Sequence, residues 1–131
     1  MGDYVLFLVA IIVLVFVFGR RILIMMNSNV KNVSADEAAV LLRNNKDTVI
    51  LDVRTKEEYD RGHIPGAILI PTQELSARIH EIKKADSVPI LVYCASGGRS
   101  PGAVDTLLRN KVTNIYHLYR GISSWKFALT R

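Results

Sequence analysis

The sequence predicts an α/β fold: a mostly parallel central sheet with helices on both faces, preceded by one transmembrane helix. Three observations predict it. Apolar or β-branched runs near residues 30–33, 48–53, 67–70, 88–93 and 114–119 alternate with helix-like segments. That alternation builds a parallel sheet covered on both sides. Residues 4–18 carry no charge, which suits lipid better than a solvated helix face. The only cysteine, Cys94, closes the fourth run, and sites in open sheets of this kind lie at the carboxyl ends of strands.

The apolar run over residues 4–18 makes about 22 Å of helix, short of a hydrocarbon core of about 30 Å. Arg20 and Arg21 follow it, and the run resumes at Ile22-Leu23-Ile24-Met25-Met26. The arginines can snorkel to one interface, with Tyr4 at the other. A bilayer span over residues 3–21 is therefore expected, with an interfacial continuation to Met26. A signal peptide would place positive charge before the core and small residues after it. Here Asp3 precedes, and bulky residues and arginines follow. A buried core helix would have one distinct packing face, and this run is apolar all round. Arg20, Arg21 and Lys31 place the C-terminal side in the cytoplasm by the positive-inside rule. The chain divides into an anchor with its flank over residues 1–26, a linker at 27–30 and a folded domain over 31–131.

Within that domain, residues 30–33 read as a short strand. Ser34 and Glu37 have capping-box spacing, and Ala38, Leu41 and Leu42 give the next helix its stripe. A buried strand over 48–53 precedes a short helix over 56–60. Gly62 and the Ile64-Pro65-Gly66 turn stop that helix before a strand at 67–70. A helix over 73–84, with Leu75, Ile79 and Ile82 on one face, leads to the strand over 88–93. Ser100 as N-cap and Pro101 at the first helical position open the next helix, with Ala103, Val104, Leu107 and Leu108 inward. A strand over 114–119 and a terminal helix over 122–129, packed by Trp125, complete the pattern.

Composition excludes several classes. One cysteine cannot form an intramolecular disulfide or a paired-cysteine zinc site. Beyond residue 26 there are 15 Lys/Arg against 11 Asp/Glu, a formal +4. That excess is scattered and lacks interleaved aromatics, so no nucleic-acid partner is expected.

The chemistry centres on the loop Cys94-Ala95-Ser96-Gly97-Gly98-Arg99-Ser100. Backbone N–H groups from Ala95 to Ser100 can converge on the sulfur as an anion nest. The helix starting near Ser100 directs its positive end at the loop. Arg99 adds a full charge, and these influences lower the thiol pKa. Gly97 and Gly98 permit the positive φ angles of a tight cradle. Ala95 and Ser96 leave room for a substrate. This pattern points to a thiolate nucleophile and leaves sulfur transfer and phosphate or arsenate chemistry both open.

Four pieces in order resemble a single-domain rhodanese across residues 30–129. They are Leu51-Asp52-Val53-Arg54, the run Glu57-Glu58-Tyr59-Asp60-Arg61-Gly62-His63-Ile64-Pro65-Gly66-Ala67, the Cys94 loop, and Gly121-Ile122-Ser123-Ser124-Trp125. The resemblance implies that Cys94 takes a sulfane sulfur from a small anionic donor such as thiosulfate. The persulfide then passes its sulfur to a thiol or cyanide acceptor, including a thiol on a partner protein. It implies no metal and no organic cofactor. A related branch that handles phosphate or arsenate has five residues between cysteine and arginine. Here four intervene, from Ala95 to Gly98, and the smaller ring suits a sulfur atom. The remaining rival is a membrane-tethered binding or persulfide-relay module with little turnover of thiosulfate.

Asp52 and Arg54 end a strand, as rim or structural support for the site. Spacing predicts that Arg54 pairs with Glu58. His63 reads as a hydrogen-bonded structural residue in its turn, and His80 and His117 have no recognisable cluster. Most relatives carry two glycines where this chain has Arg120-Gly121. Arg120 is expected to add positive charge at the rim and help recruit anionic donors.

Overall fold

A computed structural model describes residues 2–82 and 88–131. Its elements are α1 (Gly2–Met25), β1 (Val30–Val33), α2 (Ala35–Asn44), β2 (Val49–Asp52), α3 (Lys56–Arg61), β3 (Ile68–Leu69), α4 (Leu75–Arg78), β4 (Ile90–Tyr93), α5 (Ser100–Arg109) and β5 (Ile115–Leu118). The five strands form one sheet in the order β1-β5-β4-β2-β3, and every pairing is parallel.

Alternation along β4 divides the core. Ile90, Val92 and Cys94 face a cluster with Leu75, Ile82, Ala103, Val104 and Leu107. Leu91 and Tyr93 face the opposite cluster, with Ala35, Ala38, Ile64 and Ala67. A strand puts successive side chains on opposite faces, so the Cys94 sulfur lies on the α4/α5 side. All four residues of β4 are buried, as the continuous apolar run requires of a central strand.

Two capping boxes fix the helices on the other face. Ser34 and Glu37 close the start of α2 as their spacing predicts, and Thr55 and Glu58 do the same for α3. α1 spans 24 residues with none buried, about 36 Å of helix that by length and composition is enough to cross a bilayer. Its last residues turn onto the domain, where Ile24 and Met25 pack against the α4/α5-side cluster.

Two expected helices are wound differently. The segment expected over 73–84 is a 3₁₀ turn (Thr72–Glu74), one α-turn and a second 3₁₀ turn (Ile79–Glu81). Its last two residues, 83 and 84, lie outside the described ones. A helix this short has little stability of its own, and Leu75 and Ile82 are both buried along the segment. The expected terminal helix is a single 3₁₀ turn (Ile122–Ser124). Thr130 exchanges both backbone hydrogen bonds with His63, at 2.8 and 2.9 Å, which holds the tail extended.

The loops after β4 and β5 lock together. Ile122 and Ser123 donate backbone N–H bonds to the carbonyls of Cys94 and Ala95, at 2.9 and 3.0 Å. Gly121 permits the approach: its φ is +66°, and a Cβ there would lie 2.5 Å from the Ala95 oxygen. Gly121→Ala should cost about 3 kcal/mol, from left-handed strain plus overpacking. A lowered denaturant midpoint with an unchanged slope would show it; a shift below about 1 kcal/mol would mean that the loops move apart freely.

Candidate active site

Cys94 follows β4 directly and is 1% exposed. The backbone N–H groups of Gly97 and Ser100 point at its Sγ from 3.1 and 3.4 Å. The Ser100 hydroxyl lies 3.3 Å away. Burial opposes ionisation. The Ser100 hydroxyl and the N–H groups of Ser100, Arg99 and Gly97 outweigh it and hold the thiol below its ordinary pKa. Gly97 adopts φ +93°, and a Cβ there would collide with the Tyr119 carbonyl oxygen. Gly98 does not share the positive φ expected of it. Ala95 and Ser96 form the outward side of the loop, half-buried and exposed.

Ser100 departs from its expected part. It is the first residue of α5, Arg99 holds the N-cap position and Pro101 follows one place later. The Ser100 hydroxyl makes no capping bond because it is held between Cys94 and His117.

Arg99 grips Glu58 with two hydrogen bonds of 2.7 and 2.8 Å. That guanidinium, aided by Thr55, holds the Glu58 carboxyl down at about 2 against the cost of burial. Glu58 therefore braces the sulfur loop while it caps α3. The expected Arg54–Glu58 pair does not form. Arg54 is buried and turned inward, with Nε and Nη2 on the Asp52 carboxylate at 2.7–3.1 Å and Nη2 also on the Gly62 carbonyl at 2.7 Å. Asp52 pairs in register with Tyr93, on the face away from the sulfur. Asp52 and Arg54 thus brace the turn that follows β2, and Arg54 borders a surface cavity with Glu58 and Ile122. His63 is structural as expected: Nδ1 lies 2.9 Å from the Tyr59 carbonyl and the rings stack at 3.6 Å. Arg120 is exposed, its guanidinium 5.4 Å from the Tyr119 ring centre.

His117 is the site residue that sequence reasoning missed. It pairs in register with Val92, two residues before Cys94, and is 2% exposed. Its Nε2 lies 2.5 Å from Ser100 Oγ, and its Nδ1 lies 3.0 Å from Asn32 Oδ1. Burial and the charge of Arg21 push its pKa down to about 4. The available signal was a histidine inside a buried strand; its partners come from β1 and α5 and are not neighbours in sequence. Arg21, at the end of α1, donates to the carbonyls of Gly97 and Gly98 at 2.8 and 3.4 Å.

A parallel α/β domain with an amide cradle around a strand-end thiol is an arrangement suited to thiol-based group transfer. The rhodanese-like domain model matches residues 34–128, and the chain belongs to that family of sulfurtransferases. It is 40% identical to the uncharacterized protein YqhL of Bacillus subtilis over 76 residues, 58% of this chain and 59% of the relative. It thus spans less than two thirds of that protein. It is 31% identical to the thiosulfate sulfurtransferase GlpE of Pseudoalteromonas translucida over 98 residues, 75% of this chain and 90% of the relative. The crystal structure of a rhodanese-like domain protein from Staphylococcus aureus superposes with a TM-score of 0.67 at 30% identity, covering 76% of this chain and 96% of the other.

The depressed His117 pKa makes stability pH-dependent. The unfolded imidazole takes a proton near pH 6.5, whereas the folded one resists until about 4. The unfolded state therefore binds more protons in that window, and stability falls as pH falls through it, by up to about 3 kcal/mol. Glu58 adds its loss only lower, between 4.5 and about 2. Denaturation midpoints measured from pH 7 to 4.5 should show the His117 limb, and a flat profile there would contradict it.

Proposed function

We propose that this chain is a single-pass membrane sulfurtransferase whose Cys94 carries a sulfane sulfur as a persulfide. The anchor occupies residues 3–21, and the domain over residues 31–131 faces the cytoplasm. The donor is a small anion such as thiosulfate; the acceptor is a thiol or cyanide. One observation carries the reading: two backbone N–H groups close on the Cys94 sulfur within a loop that leaves four residues before Arg99.

The chemistry is a double displacement. The Cys94 thiolate attacks the outer sulfur of thiosulfate. A new S–S bond forms, the old one breaks, and sulfite leaves with the electron pair. The N–H groups of the loop and the positive end of α5 stabilise the persulfide anion. Cyanide then attacks the outer sulfur, thiocyanate departs, and the thiolate returns. Arg99 and Arg120 add positive charge at the mouth, with Arg99 partly balanced by Glu58.

A second reading draws on the 1% exposure of Cys94. In it the domain exchanges sulfur with a partner protein that opens the loop, and free thiosulfate turns over slowly. Phosphate or arsenate chemistry is disfavoured by the short loop.

Full-length protein in detergent, treated with thiosulfate, should gain the mass of one sulfur atom on Cys94 and lose it to cyanide. No adduct would overturn the sulfurtransferase reading, and an adduct formed or discharged only slowly would favour the partner-dependent one. No hydrolysis of an aryl phosphate is expected. For the orientation, protease added to sealed inside-out vesicles should remove the domain, and right-side-out vesicles should protect it. The reverse pattern would overturn the cytoplasmic placement.

A further inference from the structure

A chain of hydrogen bonds runs from the end of α1 to the reactive sulfur, and each link fixes the next. Asn32 Nδ2 donates to the Met25 carbonyl at 3.2 Å. A carbonyl can only accept, so the Asn32 amide is set with Oδ1 toward His117. Oδ1 also only accepts, so His117 Nδ1 carries the ring proton across the 3.0 Å contact. That leaves Nε2 bare, and it takes the hydroxyl proton of Ser100 at 2.5 Å. The Ser100 oxygen then presents a lone pair to the Cys94 S–H at 3.3 Å.

We propose that His117, acting through Ser100, takes up the Cys94 proton whenever the sulfur becomes anionic and holds it until the sulfur is free again. This rests on the persulfide reading above and assigns its proton traffic. Ser100 has one proton to give. A thiolate beside a neutral His117 would leave either the sulfur or Nε2 without that donor. Two protonation states leave nothing unpaired. In one, S–H faces Oγ and O–H faces Nε2. In the other, Nε2–H faces Oγ and O–H faces the thiolate. The first becomes the second when the thiol proton passes to Oγ as the hydroxyl proton passes to Nε2.

The cycle then balances without a proton from solvent. Thiol, imidazole and thiosulfate become persulfide anion, imidazolium and sulfite. Cyanide removes the outer sulfur as thiocyanate, and the thiolate recovers its proton from His117. The titratable groups facing the ring are Cys94 from the β4 loop and Arg21 from α1, with Tyr119 along the same cavity. Arg21 and burial disfavour the imidazolium, so it persists only while the sulfur is negative. His117 is a positioning residue, since Ser100 stands between it and the reacting sulfur.

His117→Gln keeps an acceptor for Ser100 but cannot hold a proton. In full-length protein in detergent, persulfide formation from thiosulfate should slow about 10²-fold at pH 7. It should recover toward the unsubstituted rate as pH rises past the thiol pKa. Equal rates at every pH, or a uniform loss with no recovery, would overturn the proposal. A second measurement needs no substitution. The ¹⁵N shifts of His117 at pH 7 should report the neutral Nδ1–H form in reduced protein and imidazolium after loading with thiosulfate. A ring neutral in both would overturn the proposal. Iodoacetamide alkylation of Cys94 separates this from the sulfur-transfer reading. If thiosulfate leaves no adduct yet alkylation loses its low-pH rate in His117→Gln, the proton path stands and sulfur transfer fails. Matching alkylation profiles would remove the path itself.

Discussion

The site depends on one close backbone contact, where the loop after β4 meets the loop after β5. Gly97 sits against the Tyr119 carbonyl, and Gly121 sits against the carbonyls of Cys94 and Ala95. The two glycines are reciprocal: each loop yields one Cβ so that the other's backbone can enter. With that contact made, Gly97 N–H reaches the sulfur, and the 3₁₀ turn after β5 satisfies the carbonyls of Cys94 and Ala95 where the loop begins. The same contact ties the end of β5 to the sulfur loop. His117, two residues before Tyr119, then reaches Ser100 at hydrogen-bond distance.

Charge around the sulfur is largely cancelled in pairs. Glu58 balances Arg99, and Asp52 balances Arg54 deep in the opposite face. Pointing at the sulfur itself are fixed N–H dipoles, which do not reorient when charge arrives, and Arg21 stands behind the loop on the Gly97 and Gly98 carbonyls. A cradle of dipoles discriminates by ring size. A guanidinium free to swing would accept any anion of the right charge. The Glu58 brace therefore fixes the Arg99 guanidinium in place as well as capping α3.

Much of this was legible in the chain, and the boundary is physical. The Ser34 capping box, the β-branched runs of β2 and β4, and the cysteine at a strand end are signals carried within a few residues, and they hold. The four-piece pattern that resembles a rhodanese covers the same ground as the family match. Contacts set by sheet order were not legible. Glu58 and Arg99 stand 41 residues apart, and Asn32 and His117 stand 85 apart. Asn32 and His117 meet because β1 pairs with β5, and Glu58 and Arg99 because β2 pairs with β4, an arrangement no local spacing encodes. Arg54 shows the reverse error. A four-residue offset favoured Glu58, and the buried carboxylate of Asp52 won because an unpaired buried charge costs far more than an exposed pair gains. The tail was misread for a similar reason: its apolar pattern suits a helix, and its backbone is taken by His63.

Arg21 grips the carbonyls of Gly97 and Gly98 from the last turns of α1. With α1 seated in a bilayer as proposed, that grip keeps the sulfur loop at the headgroup surface, within the layer where lipid charge is felt. An anionic leaflet at about −30 mV thins a dianion such as thiosulfate roughly tenfold there, and leaves uncharged sulfur compounds and thiols at their bulk concentration. The lipid beneath the domain thus acts as a filter on what loads Cys94, and one sequence would show different donor preferences in anionic and zwitterionic membranes.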